Sequence, residues 1–343
     1  MPSDESALAA LLVSAGVSAA ATPVMIRVAR RAGIIDHPGG YKRHARPTPY
    51  LGGLAILVAV LVASVASAGT SSPIPIIACG AVAICLLGTV DDLRAISPVP
   101  RLAVQAAVGV AVWTANAGWN TGLPGWAELA LTVFWIVLAV NAFNLIDNLD
   151  GAASSAAAGS ALGIVAIALI LDAQAWVALV ALALFGACLA FLAFNLARPA
   201  RIFLGDGGST LLGYLVAVSA MGALWDESAP APAAIMLLLL GIPLLDTALV
   251  MVSRWRRRVP LLTGGRDHLT HRVLARVGSP RKVAAIAATA QIALSALAAV
   301  ALELGSAALV AAAALYAVAA VVVIAVAEPG PTPTRADPSP FPG

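Results

Sequence analysis

The sequence predicts an all-α, polytopic membrane protein of about eleven transmembrane helices, N-terminus outside and C-terminus cytoplasmic. Three observations predict this class. First, hydrophobic residues make up 61% of the 343 positions and charged residues only 11%, against about 25% in a soluble domain. Twenty basic and 17 acidic side chains cannot give a chain of this length a water-facing skin. A soluble enzyme, a disordered chain and a secreted disulfide scaffold are thereby excluded, and a net charge of +3 argues for no nucleic-acid partner. Second, apolar runs recur at about the 20-residue length that a helix needs to cross a bilayer. Third, every Lys and Arg falls on alternate connections between those runs.

The runs lie at 7–28, 51–68, 74–90, 102–117, 127–146, 153–171, 175–197, 209–225, 233–253, 283–301 and 305–327. Asp4 and Glu5 precede the first run and its first base is Arg27, so it reads as an uncleaved span and not a signal peptide. Six bases lie in 27–46, two in 91–101, two in 198–201, nine in 254–282 and one, Arg335, in the tail. The opposite connections carry only acids: Asp4, Glu5, Glu128, Asp172, Asp226, Glu227 and Glu303. By the positive-inside rule the basic side is cytoplasmic. Residues 1–327 read as one integral membrane domain and 328–343 as a Pro-rich disordered tail. Cys79, Cys85 and Cys188 lie in apolar runs with no metal-type spacing, and read as small buried hydrophobes.

Chemistry gathers on the basic side. The first loop, from Gly33 to Gly53, offers Lys42, Arg43, His44 and Arg46 to an anion. Asp91 and Asp92 end the third run; helix C-termini disfavour anions, which tilts the pair toward function. Asn141, Asn144, Asp147 and Asp150 recur every three residues, a set that drifts by about 60° per step on a helix. One straight α face cannot present all four, so the end of that helix is expected to unwind near Gly151. FLGDGGST, residues 203–210, has glycines (Gly205, Gly208) that let backbone approach a ligand, and Ser209 or Thr210 could cap the eighth helix. If residues 264–274 are helical, His268, His271 and Arg272 share a face. Asp246 lies inside the ninth run, after a Pro243 that could kink it, and an intramembrane carboxylate is functional or paired by default. Carboxylates on one face suit a hard divalent cation and the neighbouring bases suit phosphates, which together suggest metal-assisted phosphoryl chemistry.

Taken in order, these strings resemble the polyprenyl-phosphate N-acetylhexosamine-1-phosphate transferases, the WecA/TagO/MraY superfamily. The resemblance runs from about Gly33 to Leu274. It rests on Asp36, Pro38, Lys42, His44, Gly52 and Gly53; on Asp91, Asp92, Arg101 and Gln105; on Asn141 to Gly151; on Phe203 to Ser209; on Pro243 to Thr247; and on the histidine loop. Two positions depart from the pattern. Asn148 stands where many members have Gly, and the loop reads RDHLTHR without a run of three histidines. The second departure favours the WecA/TagO branch over the one that transfers phospho-MurNAc-pentapeptide.

The resemblance implies transfer of N-acetylglucosamine-1-phosphate from UDP-GlcNAc to undecaprenyl or decaprenyl phosphate, releasing UMP. That is the first membrane step of an envelope polysaccharide such as lipopolysaccharide, teichoic acid or arabinogalactan. It implies Mg²⁺, with Mn²⁺ as a substitute, held by Asp206 with Asp91 or Asp92. Asp91, Asp92, Asp147, Asp150, Asp206 and His268 are the expected catalytic group. Lys42, His44, Asn141, Asn144, Gly205, Gly208, Asp246, His271 and Arg272 are the expected substrate-binding group. A plasma-membrane enzyme working at the cytoplasmic face, and a homodimer, are further expectations. Another UDP-sugar, UDP-MurNAc-pentapeptide among them, remains an alternative donor. A lipid-linked-sugar transporter or flippase is the rival from another class, expected to place polar groups through the midplane.

Overall fold

In lipid every backbone N–H and C=O must be satisfied within the chain, so long apolar segments fold as helices. The computed structural model describes residues 2–37, 46–68, 73–225, 231–260, 265 and 267–328. In chain order its elements are α1 (Asp4–Ala32), β1 (Ile35–Asp36), β2 (Thr48–Pro49), α2 (Gly52–Ala68), α3 (Ile74–Leu93), α4 (Pro98–Thr114), α5 (Gly125–Ile146), α6 (Ala152–Ile170) and α7 (Ala175–Asn195). Then come α8 (Asp206–Ala223), α9 (Pro232–Leu239), α10 (Gly241–Arg257), α11 (Leu269–Val277), α12 (Pro280–Leu304) and α13 (Ser306–Ala327). Every expected apolar run is helical. Seven of these helices (α1, α3, α5, α6, α7, α12 and α13) are long and apolar enough to cross a membrane, or eight spans if the bent α9–α10 pair counts as one. The chain is thus an all-helical polytopic membrane protein. Its one non-helical pairing among the described residues is the two-residue antiparallel contact of β1 with β2, which the all-α expectation omitted.

At the centre lies α8, buried along its length from Gly207 to Ala223. It is flanked by α3 and α5, with α2, α6 and α7 completing its surround. Around that core α1 packs on α7 and α2, and α6 packs between α7 and α12. Small residues permit these contacts. Ser14, Ser18 and Thr22 line the buried face of α1, and the Ser18 hydroxyl donates to the Ala187 carbonyl of α7 at 2.9 Å. The outermost helix, α13, keeps Val310, Leu315, Val318, Val321 and Val326 exposed, as a lipid-facing helix would. Cys85 and Cys188 are buried as expected, whereas Cys79 is exposed.

The ninth apolar run is not one helix. Between α9 and α10 the axis turns by 79°, and the break falls at Leu240, ahead of Pro243. Pro243 sits in the first turn of α10, where a missing N–H costs nothing. Other helices satisfy the freed backbone groups. Gln291 of α12 accepts from Ile242 N–H at 3.0 Å and donates to the Leu238 and Leu239 carbonyls at 3.0 and 2.9 Å. Ser160 of α6 donates to Leu239 O at 2.6 Å, and Tyr316 of α13 donates to Gly241 O at 2.5 Å. Because a buried group left unpaired costs about 1–3 kcal/mol, Gln291→Leu should destabilise the fold by several kcal/mol despite matching the apolar surroundings. Thermal unfolding in detergent measures this, with the exposed lipid-facing change Val318→Leu as a neutral reference.

Candidate active site

The site is built outward from the N-terminus of α8. The segment before it docks on the chain entering α2. Phe203 N–H donates to Pro49 O at 2.7 Å, Gly52 N–H to Phe203 O at 3.1 Å and Gly53 N–H to Leu204 O at 2.9 Å. Backbone then meets backbone. A Cβ on Gly53 would fall inside the N and Cα of Gly208, and one on Gly208 would strike Gly53 in return. Gly205 takes φ +76°, and a Cβ there would press on Tyr50 O and the Asp92 carboxylate. The residue at the N-cap of α8, Gly205, has no side chain with which to cap it. Ser209 and Thr210, expected as caps, instead turn their hydroxyls back to Asp206 O at 3.3 and 2.6 Å, because the helix starts three residues earlier than the apolar run.

This clasp sets Asp206 among polar side chains from two other helices. Asn144 of α5 donates to Asp206 Oδ1 at 3.0 Å and lies 3.1 Å from Ser209 Oγ. Asp91, Asp92 and Asp147 all lie near enough to interact electrostatically with Asp206. Asp92 Oδ2 accepts from Gly207 N–H, in the first turn of α8, at 3.4 Å. Asp91, whose side chain also reaches Asp206, has further partners. Its Oδ1 accepts from Ile96 N–H at 2.6 Å and its Oδ2 pairs with Arg101. The two neighbouring acids therefore differ: Asp91 braces the turn into α4 and also reaches the Asp206 side chain, while Asp92 meets the backbone of α8.

The helix bearing Asn141 and Asn144 ends at Ile146, and 147–151 form turns, as the three-residue spacing requires. Asn141 donates to Gln105 Oε1 at 2.8 Å and bonds Val137 O, so it ties α5 to α4. Asp147 and Asp150 lie in the turn. Burial, then the Asp206, Asp150 and Asp92 carboxylates, raises Asp147 well above the usual carboxylate range. Asn195, at the end of α7, accepts from Gly151 N–H at 2.6 Å and donates to Ile202 O at 3.0 Å, linking this turn to the segment that carries Asp206. The reading of the residues missed Asn195, although a lone Asn ending an apolar run was a usable signal.

A second cluster holds the histidine loop. Asp246, fully buried in α10, accepts from Leu269 N–H at 2.6 Å and meets His268 Nδ1 at 2.8 Å. With the carboxylate accepting, Nδ1 carries the proton and Nε2 is the ring nitrogen left for other chemistry. His268 is the residue before α11, in extended conformation, and not part of that helix as the shared-face expectation had it. The His271 ring still lies 6.2 Å from it, edge to face. Arg272 has partners of its own. It bonds the Asp267 and Ala327 carbonyls and pairs with Glu328, which is buried and folded although it was assigned to the tail. Asp267 is gripped by Arg254 at 2.9 Å; burial raises its carboxyl, but the Arg254 guanidinium outweighs that and holds it below the usual range. Thr270 donates to the Asn148 side-chain oxygen, so the two positions that depart from the family pattern touch and join the loop to the turn of Asp147. Lys42 and His44 lie outside the described residues.

Five motif-bearing segments thus meet at one end of the bundle. A family model described as glycosyl transferase family 4 matches residues 74–223. A probable undecaprenyl-phosphate N-acetylglucosaminyl 1-phosphate transferase of Bacillus subtilis is 33% identical over 74% of this chain and 73% of its own. The chain belongs to glycosyl transferase family 4. An Escherichia coli undecaprenyl-phosphate alpha-N-acetylglucosaminyl 1-phosphate transferase is 28% identical over 72% and 71% of the two chains. A Mycobacterium tuberculosis decaprenyl-phosphate N-acetylglucosaminephosphotransferase is 29% identical over 80% and 77%. The stretch matched by the family model holds Asp91, Asp92, Asn144, Asp147 and Asp206 together.

Among the described residues no three His, Cys, Asp or Glu side chains converge as a ready cage for a metal ion. Mg²⁺ needs no such cage, since it takes one or two carboxylates and completes its shell with phosphate oxygens and water. Of the carboxylates here, Asp206 and Asp92 could hold it. The Gly53–Gly208 contact leaves no room for a methyl group, and overpacking of this kind costs about 1–3 kcal/mol or more. Gly53→Ala should therefore lower the unfolding temperature in detergent, whereas Gly16→Ala, which meets open space on α1, should not.

Proposed function

We propose that this family member transfers N-acetylglucosamine-1-phosphate from UDP-GlcNAc to a polyprenyl phosphate, undecaprenyl or decaprenyl, yielding polyprenyl-diphospho-N-acetylglucosamine and UMP. The observation that carries this reading is the crowding of Asp92 and Asp147 around an Asp206 that Asn144 orients, at the N-terminus of a buried helix. Such a concentration of negative charge calls for a cation, and a helix N-terminus favours phosphate. The names of the three relatives supply the N-acetylglucosamine 1-phosphate group and the polyprenyl phosphate, and the family resemblance implies the UDP-linked donor.

The chemistry asks little of a base. A phosphate monoester has a second pKa of about 6, so the lipid phosphate is largely ionised at neutral pH. Its oxygen bonds to the β-phosphorus of the nucleotide sugar, the bond from that phosphorus to the bridging oxygen breaks, and UMP departs with the electron pair. Positioning and charge neutralisation then dominate. Bound Mg²⁺, held by Asp206 and Asp92, supplies neutralisation of the phosphate oxygens. Asn144 orients Asp206, and Asp91 with Arg101 braces the turn. Asp147 and Asp150 face the nucleotide and the ion's water shell. His268, positioned by Asp246, presents Nε2 to the diphosphate with His271 beside it, and Asn141 with Gln105 keeps α5 and α4 in register. Arg272 acts through the loop it anchors. Lys42 and His44 serve the lipid phosphate.

The same reading places eleven crossings in the plasma membrane, N-terminus outside, with residues 1–327 as one domain and the basic, motif-bearing connections in the cytoplasm. Pairing of two copies is compatible with the exposed apolar face of α13.

Asp206→Asn should cut UMP release more than about 100-fold, and EDTA should abolish it in the parent until Mg²⁺ is restored. Radiolabel from UDP-GlcNAc should enter the lipid phase with membranes of the parent and not of the variant, and mass spectrometry of the product identifies the sugar. Wild-type turnover by Asp206→Asn would remove the metal assignment. Label entering vesicles without a lipid product would point to transport instead.

A further inference from the structure

The end of α1 carries a second polar feature, which the transfer chemistry does not use. A cavity of about 190 Å³ is lined by Arg27 and Arg30 of α1, Arg201 of the segment before α8, and Pro23, Ile26 and Phe194. Its far wall is held in place: Arg201 N–H donates to Phe194 O at 3.1 Å, and the Arg201 guanidinium lies 5.8 Å from the centre of the Phe194 ring. Among the described residues no acidic side chain pairs with any of the three arginines. All three arginines are exposed, so water and salt screen much of their mutual repulsion, and an anion seated between them would relieve the rest. The apolar half of the lining, Pro23, Ile26 and Phe194, has no use for a free inorganic anion. An anion joined to hydrocarbon satisfies both halves.

Depth narrows the choice. Arg27 and Arg30 occupy the last two turns of α1, a helix long and apolar enough to span the bilayer, so the cavity lies at headgroup level. Basic pockets between transmembrane helices at that level suit anionic lipid headgroups. We propose that the Arg27–Arg30–Arg201 cavity binds the phosphate of an anionic glycerophospholipid, with the upper acyl chain against Pro23, Ile26 and Phe194. A zwitterionic headgroup would bring its own ammonium into a cavity already rich in positive charge. Arg201 lies five residues before Asp206, and Phe203, between them, is bonded to Pro49. A seated headgroup therefore fastens the segment that leads into the site to α1. This inference needs only that α1 cross the membrane, so it stands or falls apart from the donor and acceptor named above.

Native mass spectrometry of the full chain in detergent micelles tests it, with phosphatidylglycerol, phosphatidylcholine or inorganic phosphate added. Phosphatidylglycerol should be retained in preference to phosphatidylcholine. Each of Arg27→Gln, Arg30→Gln and Arg201→Gln should weaken retention about fivefold, and the triple variant should abolish the preference. Arg94→Gln removes an exposed charge outside the cavity and should leave retention unchanged. If the triple variant does not fold, the single variants carry the test. Equal retention of the two lipids, or parental retention by the cavity variants, overturns the proposal. So does displacement of the lipid by inorganic phosphate at the same concentration, which would mark a free-phosphate site. A raised KM for polyprenyl phosphate in the variants, with phosphatidylglycerol retention intact, would assign the cavity to the acceptor and overturn it as well.

Discussion

The candidate site depends on one contact, that of Gly53 with Gly208. It brings the start of α2 and the start of α8 together at backbone distance, which no side chain would allow. From it follow the docking of Phe203 and Leu204 on the chain entering α2, the left-handed turn at Gly205 and the placement of Asp206 between α3 and α5. The first turn of this buried helix is capped from another helix, Asp92 of α3 accepting from Gly207 N–H. Carboxylates crowd there too, and burial with their mutual repulsion raises Asp147 above the usual carboxylate range.

Around this centre the structure pairs polar groups away from water. The break between α9 and α10 would leave backbone groups unpaired in an apolar setting, and Gln291, Ser160 and Tyr316 each take one or more of them. The bend has a use: it begins the helix that carries Asp246, whose carboxylate takes both the ring and the backbone of the histidine loop. An intramembrane carboxylate is costly. Here the cost is offset by two hydrogen bonds that orient His268 toward its neighbours.

Much was legible beforehand. The apolar runs marked the helices, and the three-residue recurrence of Asn141, Asn144, Asp147 and Asp150 foretold the unwinding at Ile146. The default expectation that a buried acid is paired held for Asp246. Less legible were matters of partnership. Asp91 and Asp92 are adjacent and chemically identical, yet one is bound by Arg101 and Ile96 while the other faces Gly207. Nothing about Arg272 foretold its pairing with Glu328, which is far along the chain. Ser209 and Thr210 have cap chemistry, but sit one turn too deep in the helix to cap it.

The sequence by itself determined the helical, membrane-spanning class, the confinement of bases to alternate connections between apolar runs and the set of residues able to do phosphoryl chemistry. These follow from hydropathy, charge and side-chain type, which are local properties. Tertiary structure alone decided which carboxylates crowd Asp206, which histidine nitrogen meets Asp246, and that Thr270 finds Asn148 from 122 positions away. Such choices depend on how closely helices approach and turn, and that is settled by contacts between segments distant along the chain.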